Sequence, residues 1–181
     1  MYPFLRFLKE AVKYQNAPKL GLFDTHVSHH LCWPWDLDFW AELNNGRTLT
    51  LYDLGRVPMA TRMGLIGALR KHRWGITVAG SSPRYRKRIR AFDRIEMRSR
   101  VLGWDARFFY IEQGMWVHGD CAGHVLIRSA FTGATGIVPP AQVVAELGHS
   151  TDSPPLPGWV RAWIDAEGQR PWPPEIPSNR N

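Results

Sequence analysis

The chain has 181 residues and a formal net charge of +7, a length that supports one domain burying roughly 70% of the surface its unfolded form exposes. Hydrophobic residues make up 44% and aromatic ones 12%, with nine tryptophans, which excludes a disordered chain and requires a large apolar interior, interface or ligand cavity. Two cysteines make no disulfide framework, and no run of about 18 apolar residues is present, so the expectation is a cytoplasmic protein with reduced thiols and no membrane span.

Pro3 suits a first helical turn, and Phe4, Leu5, Leu8, Ala11 and Val12 recur at helical spacing until Asn16-Ala17-Pro18 stops them. Arg6, Lys9 and Lys13 make the rest of this helix basic. It has two readings: peripheral membrane contact through residues 1–15, or packing on the domain or a partner subunit, the second being the expected one. With no long apolar segment and no small-residue cleavage site, it does not read as a signal peptide.

Residues 23–39 read as extended, because Val27, His29, Leu31, Trp33, Trp35, Leu37 and Phe39 alternate with Ser28, His30, Cys32, Pro34, Asp36 and Asp38. Such a strand would put Asp36 and Asp38 on one face. A helix is expected from residues 43–45, with Asn44 as N-cap, to about Leu54, where Gly55 and Pro58 interrupt it. A second helical piece is expected over 58–72, ended by Gly75. Strands follow near 76–80, 84–91, 94–103, 106–117 and 120–131, with "WVHGDCA" as a hairpin. Short helices are expected over 138–148 and 158–168, then the Pro-rich tail "QRPWPPEIPSNRN", loosely ordered. The organisation is an N-terminal amphipathic helix (1–18), an α+β domain (19–148), and a C-terminal helix with its tail (149–181).

The positive charge is concentrated. Residues 84–100 hold Arg84, Arg86, Lys87, Arg88, Arg90, Arg94, Arg98 and Arg100 against only Asp93 and Glu96. In a strand, Arg84, Arg86, Arg88 and Arg90 would share one face and present a stripe to a polyanion or to solvent. The histidines (His26, His29, His30; His118, His124) lack zinc spacing with a credible fourth ligand, and neither G-x-S-x-G nor a glycine-rich phosphate loop occurs.

"WDLDFWAELNN" (35–45) carries the most specific signal. A strand ending in Asp36-Leu37-Asp38, then Glu42, then Asn44-Asn45 opening a helix, resembles the 4-hydroxybenzoyl-CoA thioesterase family. "NNGRTLTLYDLGR", "IRAFDRIEMRSRVLGWDARFFYIEQ" and "TGIVPPAQVVAELG" are most similar to its thioesterase-like branch, which includes the thioesterase superfamily member 6 proteins. Ala41-Glu42 stand where the family usually has Gly-His. The resemblance implies a hotdog fold over about residues 24–137: a long central helix wrapped by a curved antiparallel sheet, here with extra N- and C-terminal helices.

The resemblance also implies hydrolysis of an acyl-CoA thioester by a homodimer or dimer of dimers with sites at the subunit interface. No cofactor is implied, CoA being part of the substrate. The carried-over carboxylate is Asp38, as nucleophile or as general base on water, and the oxyanion donor belongs at Asn45, where a helix start offers free N–H groups. Trp35, Phe39 and Trp40 are expected to desolvate Asp38 and strengthen it as a base. Asp36 is expected to be structural. Glu42 is either a first-turn acid favoured by the helix dipole or a second base in the histidine position. Asp53 is a minor candidate, since some hotdog thioesterases use a helix-borne carboxylate. Arg84, Arg86, Arg88, Arg90 and Trp40 are the expected substrate contacts, the arginines for CoA phosphates. The bulky apolar neighbours favour medium or long acyl chains over small aromatic ones. Two other functions stand beside this one: a non-catalytic acyl-CoA- or lipid-binding hotdog protein, and a nucleic-acid binder. The last rests on the basic stripe alone and lacks motifs, so no nucleic-acid partner is expected.

Overall fold

The computed structural model describes residues 3–176. Residues 1–2 of the possible membrane segment and 177–181 of the Pro-rich tail lie outside the described residues. The helices are α1 (Phe4–Tyr14), α2 (Asn45–Arg62), α3 (Leu65–His72), α4 (Pro140–Glu146) and α5 (Gly158–Gln169). The strands are β1 (His26–Leu31), β2 (Gly75–Tyr85), β3 (Arg94–Trp104), β4 (Phe109–Val117), β5 (Asp120–Gly133) and β6 (Gly136–Val138). The strands form one antiparallel sheet in the order β1-β3-β4-β5-β2, with β6 added to the end of β5. The long helix α2 lies on the inner face of this sheet, the arrangement the resemblance implies.

That packing is close because α2 carries Gly55 where it meets β3. A Cβ there would come within 2.6 Å of the Met97 sulfur and 2.8 Å of the Ser99 hydroxyl. Leu51, Tyr52, Leu54 and Met59 of α2 fill the core with Met97, Ile111, Met115, Val125 and Ile127 of the sheet. Inside this apolar layer Gln113 satisfies three polar groups. Its amide N–H groups donate to Tyr52 O at 2.9 Å and the Ser99 hydroxyl at 2.8 Å, and its oxygen accepts from Arg56 at 2.9 Å. A second cluster lies on the outer face, where Val160, Trp163 and Ile164 of α5 cover Tyr110, Leu126 and Leu102.

Four expectations change. The extended segment 23–39 is a strand only over His26–Leu31, and Pro34 opens a one-turn 3-10 helix, Pro34–Asp36. Asp36 and Asp38 therefore do not share a strand face. The helix from Asn45 runs through Gly55 and Pro58 to Arg62. Proline there forfeits one intrahelical hydrogen bond, and burial of Leu51, Tyr52, Leu54, Pro58 and Met59 outweighs that loss. The break falls instead at Gly64, with φ +80°, before α3. No strand spans 84–91: β2 is continuous from Gly75 to Tyr85 with a bulge near Gly80, and residues 86–93 form a loop. Arg84, Arg86, Arg88 and Arg90 thus form no common strand face. The "WVHGDCA" hairpin is present, with positive φ at both His118 and Gly119, the geometry that favours a two-residue turn.

Helix α1 packs on the domain through Phe7, which meets the core, and through polar residues on the same side. Arg6 donates to the Asp36 carboxylate at 2.6 Å and to Leu31 O at 2.7 Å, and Tyr14 donates to Val27 O at 3.2 Å. Glu10 is buried, with one carboxylate oxygen 4.0 Å from His30 Nδ1. His30 Nε2 in turn meets the Ser28 hydroxyl at 2.8 Å, and Arg62 meets His26 at 3.0 Å. Burial, reinforced by Arg62, lowers the His26 pKa to about 4; burial and nearby Arg6 and lysines lower that of His30 to about 3.

Two outcomes follow from this packing. Gly55→Ala should destabilise the fold by about 1–3 kcal/mol through overpacking against Met97 and Ser99, read as a lowered denaturant midpoint with an unchanged slope. The two histidines are neutral in the fold but take up protons in the unfolded chain below about pH 6.5. Their contribution is complete above that pH and is lost as pH falls from there through about 4 for His26 and about 3 for His30, so Tm should drop across that window. His30→Asn should shrink the drop.

Candidate functional site

The segment between β1 and α2 is folded by its own backbone. Leu37 and Leu43 pair as an isolated bridge, the Asp38 N–H donates to Glu42 O at 2.8 Å, and the Ala41 N–H returns to Asp38 O at 3.1 Å. The Asp38 carboxylate accepts the Trp40 N–H at 2.8 Å, and Ala41 takes φ +57° to close the turn. The Asn44 N–H donates to Asp36 O at 3.0 Å, and the Leu43 N–H to Ile89 O at 2.8 Å, which joins this turn to the 86–93 loop.

Asp36 is fully buried beneath the turn. It pairs with Arg6 at 2.6 Å and Arg47 at 3.1 Å and accepts the Trp33 N–H at 3.0 Å, so one carboxylate links α1, the 3-10 turn and α2. This is the structural role expected for it.

At the start of α2 the Asn44 side-chain oxygen accepts the N–H groups of Gly46 (2.9 Å) and Arg47 (3.2 Å), and Asn44 O accepts that of Thr48. The Asn45 N–H is the helix-end donor these caps leave open. Beside it opens a cleft of about 340 Å³ lined by Glu42, Asn45, Thr48, Arg86, Lys87 and Arg88, over an apolar floor of Leu43, Ile89, Met115 and Ala122. The loop enters the cleft because the N–H groups of Arg86 and Lys87 both donate to Ala122 O, at 2.9 and 3.1 Å. Glu42 and Arg88 face each other at 3.0 Å.

The structure therefore brings together Glu42, Asn45, Arg86 and Arg88. It does not bring Asp38, Trp40, Arg84 or Arg90 into the cleft. The apolar envelope expected around Asp38 does not form within one chain: Trp35, Phe39 and Trp40 are 67%, 87% and 69% exposed. Arg84 lies on β2 opposite His124, and the Arg90 N–H closes a turn on the Asp93 carboxylate at 2.7 Å. Lys87 and Thr48 are additions. Lys87 was visible within the basic run, but a strand reading sends it to the opposite face from Arg86 and Arg88, whereas a loop allows all three to converge. Asp53 sits elsewhere, with Arg56 on the lining of a separate cavity of about 310 Å³ that also includes Met59, Met63, Ile66, Val78 and Phe109. Its carboxylate is held by Arg56, which reaches on to Gln113. Among the described residues, no helix is long and apolar enough to cross a membrane, and no three metal-ligating side chains are grouped to hold an ion.

Comparison with known proteins identifies the family and the fold. The family model described as the thioesterase-like superfamily matches residues 32–164. The chain belongs to this family. Protein THEM6 of Xenopus laevis is 32% identical over 163 residues, covering 89% of this chain and 78% of its relative; the Drosophila melanogaster protein of that name is 27% identical over 151 residues, covering 82% and 76%. The probable thioesterase YbaW of Escherichia coli superposes with a TM-score of 0.63 at 14% identity, covering 67% of this chain and 95% of that one. A 1,4-dihydroxy-2-naphthoyl-CoA thioesterase from Synechocystis gives 0.59 at 9% identity, covering 68% and 95%. The family's hotdog fold is thus the fold of this chain.

Removing the Asp36 charge leaves two arginines facing a buried neutral group. Asp36→Ala should cost about 3–5 kcal/mol of stability, measured by equilibrium denaturation. A loss below about 1 kcal/mol, the scale of an exposed pair, would contradict the linking role assigned to this carboxylate.

Proposed function

We propose that this thioesterase-like protein hydrolyses acyl-CoA thioesters in the cleft at the start of α2. The observation that carries the reading is the convergence of Glu42, Asn45 at the helix start and three cationic residues, Arg86, Arg88 and Lys87 (whose ammonium also pairs with Asp120), on one cleft. CoA supplies the matching groups: phosphates for the cations and a thioester carbonyl for the helix end.

In this reading the Glu42 carboxylate takes a proton from water as the water oxygen attacks the thioester carbon. The oxygen that becomes negative points at the Asn45 N–H, a single donor worth about 3 kcal/mol of barrier. Collapse breaks the C–S bond, and the proton on Glu42 passes to the departing CoA sulfur. Arg88 couples binding to chemistry. It pairs with Glu42 in the free protein at an exposed position, where such a pair is weak. A CoA phosphate draws Arg88 away and leaves Glu42 available to water. The apolar floor of Leu43, Ile89, Met115 and Ala122 supports a medium or long aliphatic acyl group.

Strand β2 supports assembly as a homodimer. It ends the sheet order, and Ile76 and Val78 are exposed on it. A long exposed edge strand is stabilised when a second copy covers it. One observation favours the alternative of a non-catalytic acyl-CoA-binding protein: in the free chain both candidate carboxylates are engaged, Glu42 by Arg88 and Asp38 by the Trp40 N–H.

Thiol release from a panel of acyl-CoAs separates these readings. Glu42→Gln should lower kcat by about 10²–10⁴-fold, the usual span for a general base, while Asp38→Asn, which keeps the turn's acceptor, should stay within about fivefold of the parent. The reverse pattern would return the chemistry to Asp38. Binding of acyl-CoA without turnover of any chain length would establish the binding-protein reading instead.

A further inference from the structure

Helix α1 leaves an apolar stripe uncovered. Phe7 packs on the core and Arg6, Glu10 and Tyr14 are bonded or buried on the inward side, while Leu5, Leu8 and Val12 point outward at 85%, 60% and 55% exposure. These three occupy positions i, i+3 and i+7, one continuous stripe. Burying that stripe against the domain would have been the cheaper arrangement by the area rule, so the outward face marks a surface that something apolar covers.

The helix and the aromatic turn are joined at Asp36, and Lys9 of α1 and Trp33 of the turn line one cleft. Arg6 fixes the N-terminal end of α1 to Asp36, in the turn that holds Trp33 and Trp35. Trp33 stacks on Trp35 at 4.9 Å between ring centres and meets Phe92 edge-on at 6.4 Å. Phe39 and Trp40, paired at 4.9 Å, follow directly in the chain and are exposed. Beside the stripe lies a cleft of about 480 Å³ lined by Arg6, Lys9, His29, His30, Trp33 and Arg94, with Glu10 and Leu31. Glu10 and Asp36 are buried beneath the helix, Asp38 is tied to the Trp40 N–H, Asp93 pairs with His118, and Glu96 pairs with Arg98 and faces His29; Lys9, Lys13 and Arg94 are the exposed cations beside the helix and cleft.

The geometry points to the outer face of α1 and the adjoining aromatic turn as a docking surface for an anionic lipid bilayer. Leu5, Leu8 and Val12 enter the acyl boundary, the exposed tryptophans sit at headgroup level, and Lys9, Lys13 and Arg94 meet lipid phosphates. A second copy of the chain fits this face poorly. A two-fold interface places the same patch on both sides, which would set these cations against their own counterparts. The inference is independent of the catalytic reading.

Vesicle flotation of the full chain tests it, with phosphatidylcholine alone and with about 30% phosphatidylserine added, a content that gives a strongly negative surface. The parent should partition at least about tenfold more strongly to the anionic vesicles, and less as salt rises. Leu5→Glu/Leu8→Glu, both at exposed positions, should lose at least about tenfold of that binding with unchanged circular dichroism. Lys9→Glu/Arg94→Glu should lose the preference for anionic lipid. Binding to neither vesicle, equal binding by the Leu5/Leu8 variant, or a change of oligomeric state in that variant would overturn the proposal, the last by assigning the face to a protein interface.

Discussion

The fold and its cleft both hang on the buried carboxylate of Asp36. Its two oxygens are shared by Arg6 of α1, Arg47 of α2 and the Trp33 N–H, while its own carbonyl receives Asn44 at the α2 cap. A buried ion pair is a weak source of net stability, because desolvating the charges offsets their attraction. Its value lies in geometry: the partners of this one carboxylate tie the two helices and the turn to each other. The direction of the α2 N-terminus, and so the aim of its open N–H, follows from that constraint. So does the inward turn of Arg6, which leaves the apolar side of α1 facing out.

The rest of the site is built from close packing. Gly55 lets α2 approach β3 until only a hydrogen atom fits between helix and sheet, and Gln113 seals the polar groups that this approach buries. With the helix held there, its first turn stands over the β4-β5 end of the sheet, where Met115 and Ala122 floor the cleft. The Asn44 cap then divides the helix-end amides. Two are consumed by its side chain and one by its carbonyl, which leaves the N–H of Asn45, a residue lining the cleft, untaken by this cap. A cation-rich loop opposite a helix N-terminus is chemically suited to anions, which is what the proposed acyl-CoA reading requires.

Much of this was legible in the sequence, and the misses share a cause. Long strands such as Arg94–Trp104 and Asp120–Gly133 carry plain alternation, the Asn44 cap is a local signal, and the D-x-D…N-N pattern named the family. Where local rules failed, tertiary contacts overrode them. Pro58 stays inside α2 because its neighbours are buried. The arginine alternation over 84–90 imitated a strand, yet the chain there leaves the sheet, since Arg86 and Lys87 both bond Ala122 O and Leu43 claims Ile89 O. The alternation through Trp33 and Trp35 imitated a strand past Pro34, whose fixed φ suits the 3-10 turn that buries Asp36. No sequence rule separates Asp36 from Asp38; their roles diverge only once Arg6, 30 residues away, reaches the first of them.

The central claim is that the thioester sits at the open end of α2, between Glu42 and the 86–88 loop. Amide hydrogen exchange with and without a non-hydrolysable acyl-CoA thioether tests it most directly. The account predicts slowed exchange in the peptides spanning 42–48 and 84–90, with little change over 53–66. Protection confined to 53–66, around Asp53 and the separate apolar cavity, would contradict it.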